Sequence, residues 1–229
     1  MSTPPFLDLP PSARALRMAT ARGGLAVPEG VPDGPVRGAA LLVPGFTGSK
    51  EDFIALLDPL AKAGFRTVAV DQRGQYETKG PADPAAYRLP ELALDVLALT
   101  SELGREGHPV HVLGHSFGGL VVRTAVCDHG PVPWASLTLL SSGPAAIEAG
   151  EAARLKLLLE ALPTLGLEGT WQAMQELEKA EEPAPVAAEV AEFLHRRWLA
   201  NAPEQLETAG RALLEEPDRV DELAASPLP

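Results

Sequence analysis

Cysteine is almost absent from this chain. Cys127 is the only one in 229 residues, so no intramolecular disulfide can form, which suits a reducing compartment and a cytoplasmic protein. Aromatic residues are scarce at 5%, and positive charge is short, with 19 Lys and Arg against 31 Asp and Glu. The resulting net charge of −12 argues against nucleic acid as a partner, because that needs a basic stripe. No apolar run is long enough to span a bilayer. The Pro-rich start, Met1 to Arg17, lacks the basic-then-apolar order of a secretory signal. The five histidines and one cysteine show no metal-ligand spacing, and phosphate-cradling glycine patterns are missing, so neither metal nor cofactor is expected.

What is present is an apolar fraction of 45%, enough for one folded α/β domain with a sizeable core. Residues 13–27 read as a hairpin turning at Gly23-Gly24. Ala39 to Val43 reads as a buried strand, and Ser49 as the N-cap of a helix carrying Phe53, Leu56, Leu57 and Leu60 up to Gly64, with Pro59 inside it. Thr67 to Val70 is a second strand, and Pro90 to Gly104 bounds a helix. Val110 to Leu113 and Ser136 to Leu140 add two more strands with a helix between them. Strands alternating with helices imply a mostly parallel sheet covered on both faces.

The most informative stretch is Gly114-His115-Ser116-Phe117-Gly118, placed between an apolar strand and a helix that continues through Leu120, Val121 and Ala125. In that setting the glycines permit a sharp turn that presents Ser116 Oγ above the sheet, a nucleophile elbow. From about Ile147 the character changes. Residues 148–216 carry helical patterns broken at Pro163, Pro183, Pro185, Pro203 and Pro217, as a cap inserted after a strand would.

On these residues the chain resembles the α/β-hydrolase family over residues 12–229. The elbow is one element of the likeness. Leu42-Val43-Pro44-Gly45-Phe46 is similar to the family's oxyanion loop, with Pro44 in place of its usual His, so the hydrogen bonds that His often makes are lost. Asp71-Gln72-Arg73-Gly74 is similar to its Asp-x-Arg-Gly turn, with Tyr76 where a Gly is common, which implies a different loop path. The resemblance implies an α/β-hydrolase core with an N-terminal hairpin over 1–146, a helical cap or lid over 147–217, and a lead-in to a further core strand over 218–229. It implies Ser116 as nucleophile towards an ester or related small-molecule acyl substrate, as in carboxylesterases and lipases. The N–H groups of Phe46 and Phe117 would hold the oxyanion, and Gly45, Gly114, His115 and Gly118 would shape the loops.

A serine nucleophile also needs an acid and a histidine later in the chain. The family places both after strands that would follow Pro229, so they are expected outside this chain, leaving the core incomplete at its C-terminal side. A complementing C-terminal polypeptide or a homo-oligomer would then be a partner, and the alternative is a truncated or split fragment that binds without catalysis.

The remaining polar residues have plainer readings. His108, His111, His115 and His129 are expected to be structural, and His195, in a helical stretch of the cap, is not assigned as the base. Asp71 and Arg73 read as a turn-fixing ion pair, and Glu148 as a weak alternative acid. Trp171, Met174 and Leu177 share a helical face that packs the cap or lines a substrate pocket, as do Val190, Phe193 and Leu194. Glu176, Glu178, Glu181 and Glu182 read as a solvated acidic face.

Overall fold

The computed structural model describes residues 2–130, 132–179 and 186–229, with only the backbone at 178 and 179. Six strands form one sheet: β1 (Ala13–Thr20), β2 (Gly23–Gly30), β3 (Gly38–Val43), β4 (Phe65–Ala69), β5 (Val110–His115) and β6 (Ser136–Leu140). Their order across the sheet is β1-β2-β4-β3-β5-β6. β1 and β2 pair antiparallel and β2 joins β4 antiparallel, while β4, β3, β5 and β6 run parallel. The hairpin turns at Ala21 and Arg22 rather than at Gly23-Gly24. Thr20 pairs with Gly23, and Gly23 begins β2 with a left-handed φ of 117° that glycine tolerates without strain.

Why these strands sit centrally follows from their two apolar faces. In β3, Ala39, Leu41 and Val43 join the main core with α2 (Leu89–Leu103) and α3 (Phe117–His129), whereas Leu42 points the other way, onto Phe53 and Ala69. The segment after Ser49 begins as a 3-10 turn (Lys50–Phe53) and continues as α1 (Ile54–Lys62), with Pro59 accommodated inside the helix. The Asp52 carboxylate accepts the Ser49 N–H at 3.3 Å, satisfying one orphan donor at this start. α2 is closed by Gly104, as its composition suggests.

The C-terminal third is helical: α4 (Ala149–Lys179), α5 (Ala188–Leu199), α6 (Pro203–Glu215) and α7 (Val220–Ala224). α4 is interrupted at Gly166, whose φ of 65° and ψ of −175° are not helical, rather than at Pro163. Pro183, Pro185, Glu181 and Glu182 fall outside the described residues, as does the side chain of Glu178. Leu162, Leu167, Trp171, Met174, Trp198 and Leu206 pack together with Phe46, so the helical segment covers the loop after β3. Leu177 does not share that contact and is exposed.

β6 lies at the open side of the sheet, and Leu139 and Leu140 are 37% and 45% exposed. After α7 the chain returns to this edge, where Pro229 C=O accepts the Leu137 N–H at 3.1 Å. No helix among the described residues is long and apolar enough to cross a membrane.

Candidate active site

Ser116 sits between the last residue of β5 and the first of α3, with φ 50° and ψ −118°. A non-glycine residue in that region is strained, and strain of this kind persists only where the surroundings over-determine it. Here the surroundings are small-residue contacts. A Cβ at Gly114 would lie 2.6 Å from Gly118 O and 2.7 Å from Gly119 Cα. One at Gly118 would collide with the carbonyl oxygens of Val43 and Pro44. The turn is then tied down by Ser116 N–H to Leu140 O at 2.9 Å and by Gly119 N–H to Ser116 O at 2.8 Å.

The loop after β3 is pressed against this turn. A Cβ at Gly45 would stand 3.3 Å from Ser116 Cβ and 3.4 Å from His115 Nδ1, so Gly45 allows the close approach. The Phe46 and Phe117 rings meet edge-to-face with centroids 6.5 Å apart. Among the described residues, no acceptor is bonded to the N–H of Phe46 or Phe117. Phe117 is the first residue of α3, where an unsatisfied N–H and the helix dipole favour negative charge.

Sequence reasoning missed what holds the loop. Gln72 Nε2 donates to Pro44 O at 2.9 Å, and Gln75 Nε2 donates to Gly45 O at 2.8 Å and Phe46 O at 3.2 Å. Nothing in the spacing of these glutamines marks them; the signal was Pro44, whose side chain offers no donor.

The ion pairing of the next loop also differs from expectation. Asp71 does not pair with Arg73. Its carboxylate takes the Lys50 ammonium at 2.9 Å and the Lys50 N–H at 2.8 Å, while Arg73 grips Asp95 at 2.6 Å. Lys50 is buried and also meets Glu51 and Glu77, each at 2.8 Å. Burial pushes the Asp71 carboxyl up to about 7, against the pull of Lys50 and with repulsion from Glu51. Burial works against the Lys50 charge too, but Asp71 and Glu51 hold its pKa above the ordinary range. Lys50 has three carboxylate partners, so a cluster in which one of them readily takes a proton satisfies both directions. Tyr76 does not divert this loop away from a glycine-like conformation: its φ is 37°, with its ring under Lys50 Nζ and edge-on to Phe193.

The histidines are engaged away from Ser116 Oγ. His111 Nδ1 meets Ser136 Oγ at 2.8 Å, His195 pairs with Glu168 at 2.9 Å and stacks on Trp171, and His129 is exposed at the end of α3. His115 lies against Gly45. Among the described residues, no histidine is hydrogen-bonded to Ser116, and Glu148 is exposed at the start of α4. Clefts elsewhere include one of about 580 Å³ beside Pro109 and Trp134, at the opposite end of β5.

α5 is anchored to the segment after Ser49 by a buried ion pair. Arg197 Nη1 meets Asp52 Oδ1 at 2.7 Å, with the two side chains 0% and 5% exposed, and Arg197 Nη2 donates to Ser2 O at 2.7 Å. Burial pushes the Asp52 carboxyl up, opposed first by Arg197.

Residues 40–162, from within β3 into α4, match the alpha/beta hydrolase fold. The chain is 36% identical over 106 residues to epoxide hydrolase B of Mycobacterium tuberculosis, which covers 45% of this chain and 28% of that protein. It is 31% identical over 109 residues to proline iminopeptidase of Lactobacillus delbrueckii subsp. lactis, covering 46% and 36% respectively. The chain thus spans less than half the length of these curated relatives. The solved esterase EaEST from Exiguobacterium antarcticum superposes with a TM-score of 0.71 at 17% identity, over 94% of this chain and 78% of that one. Epoxide hydrolase VrEH1 from Vigna radiata gives 0.67 at 19%, over 88% and 73%. With the match extending over more than half of its residues, this protein belongs to the α/β hydrolase fold family.

Proposed function

We propose that Ser116 is the nucleophile of a hydrolase acting on an ester or related acyl substrate. The observation that carries this reading is the strained Ser116 backbone at a strand-to-helix turn, beside two unbonded N–H groups. Attack of Oγ on an acyl carbon builds negative charge on the carbonyl oxygen. The N–H groups of Phe46 and Phe117 are the donors for that charge, each worth about 3–4 kcal/mol of transition-state stabilisation. Hydrolysis is also the chemistry named for the epoxide hydrolase relative and for the esterase of like fold. Trp171 and Met174 line the acyl side of the site in this reading, because they share a packed cluster with Phe46.

The acid and histidine come from outside this chain. Two observations favour that: among the described residues no histidine is hydrogen-bonded to Ser116, with His111 and His195 bonded elsewhere, and β6 exposes Leu139 and Leu140 along an edge that a further strand can cover. The same observations support a second reading, a fragment that binds a ligand or complementing polypeptide without catalysis on its own. Treatment with a fluorophosphonate, read by intact mass beside a Ser116→Ala control, separates the two. A stoichiometric adduct lost in the control supports an activated Ser116; an unmodified wild type sinks catalysis by this chain alone.

A further inference from the structure

We propose that Gln75, oriented by Gln72, is the positioning residue that aims and polarises the Phe46 N–H towards the reacting oxygen; the proposal rests on the Ser116 reading above. The physical link is the planarity of one peptide unit. Gly45 C=O and Phe46 N–H belong to the same trans peptide and point in opposite directions. A bond that fixes the carbonyl therefore fixes the direction of the N–H. Gln75 Nε2 makes that bond at 2.8 Å. Its amide reaches the next carbonyl as well, Phe46 O at 3.2 Å, while Gln72 Nε2 holds the preceding one, Pro44 O, at 2.9 Å. Three successive carbonyls are thus held from behind, on a loop whose Pro44 has no N–H to contribute.

The orientation of the Gln75 amide is itself determined. Its Oε1 accepts the Gln72 N–H at 3.1 Å, and its own backbone N–H donates to Gln72 O at 2.9 Å, which leaves Nε2 facing the loop. Both glutamines are buried, Gln75 fully, so neither is there to meet solvent. The site demands amide chemistry: two N–H donors on one side and an acceptor on the other. A carboxylate at position 75 would direct lone pairs at the carbonyls, and an aliphatic side chain would leave Phe46 O unpaired and Gly45 O with only the longer bond from the Gly48 N–H, 3.2 Å. Donation to a peptide carbonyl also draws electron density onto its oxygen, which strengthens the N–H at the other end of that peptide.

The test uses the full chain with Gln75→Leu, Gln75→Glu and Gln72→Leu. It reads the rate of Ser116 modification by a fluorophosphonate relative to wild type at each pH, together with amide hydrogen exchange at Phe46. Gln75→Leu is expected to slow modification about 100-fold, the scale of a misaligned oxyanion donor. Gln75→Glu is expected to be as slow above neutral pH and to recover as pH falls, because the protonated carboxyl can again donate to Gly45 O. Exchange at Phe46 read against α2 separates positioning from a general loss of packing, because a buried carboxylate that loosened the whole fold would speed both. Gln72→Leu is expected to fall between wild type and Gln75→Leu. A Gln75→Leu rate within about threefold of wild type, or a Gln75→Glu ratio that is flat with pH, overturns the proposal. If Gln75→Leu does not fold, Gln75→Glu carries the same decision. If wild type itself is unreactive, Ser116 lacks its base in this chain, as the reading above expects, and the exchange data decide the positioning. Exchange at Phe46 at least about tenfold faster in Gln75→Leu, with α2 unchanged, supports it, and unchanged exchange at Phe46 overturns it.

Discussion

Replacing Arg197 by Met should destabilise the protein mainly through the carboxylate it leaves behind. Asp52 is 5% exposed and Arg197 is fully buried, so the pair is isolated from water. Once Arg197 is gone, the Ser49 N–H at 3.3 Å is the hydrogen-bond donor left to the Asp52 carboxylate among the described residues. Breaking one side of a buried pair costs about 3–5 kcal/mol, and the methionine recovers part of the apolar packing against Phe193, so about 3 kcal/mol is expected. For a chain of this size that lowers Tm by roughly 6–12 °C. The cost should depend on pH with a definite sign. Asp52 already has a raised pKa in the fold, and losing Arg197 raises it further. A raised carboxyl contributes stability below its unfolded value that is lost as pH rises through its folded value. The deficit of Arg197→Met relative to wild type should therefore be largest near neutral pH and shrink as pH falls towards the raised Asp52 value. The double variant Asp52→Leu with Arg197→Met should recover much of the loss, since it leaves no unpaired charge. Urea unfolding followed by circular dichroism at several pH values measures all three. A single-variant cost below about 1 kcal/mol at neutral pH, or a deficit that grows on acidification, would refute the reasoning.

Gly118→Ala should abolish soluble folded protein or lower its Tm by more than about 6 °C, because the added methyl meets the Val43 and Pro44 carbonyls; a scan unchanged from wild type would contradict the packing of the elbow. Leu139→Lys with Leu140→Lys should reduce concentration-dependent association in size-exclusion chromatography without lowering Tm, since both side chains are exposed on the edge strand; persistent association would place the sticky surface elsewhere.

The local elements were legible in the sequence because each rests on short-range physics. Short apolar runs marked β3 and β5, Pro90 and Gly104 bounded α2, and β6 runs from Ser136 to Leu140 as read. Ser116 was recognisable because a strand, two glycines and a helix start must be contiguous in the chain. What depended on contacts between distant residues was not legible. Asp71 chose Lys50 over Arg73, and Arg73 chose Asp95, because the loop after β4 brings partners together that lie far apart in sequence. Gln72 and Gln75 became the support of the loop after β3 only when β4 was laid parallel beside β3, bringing the residues after both strands to the same end of the sheet. Local pattern was enough to mark the strands, the helices and the turn that carries Ser116. Tertiary structure alone decided which side chains hold it, because hydrogen bonds and ion pairs are set by proximity in space, which no local pattern encodes.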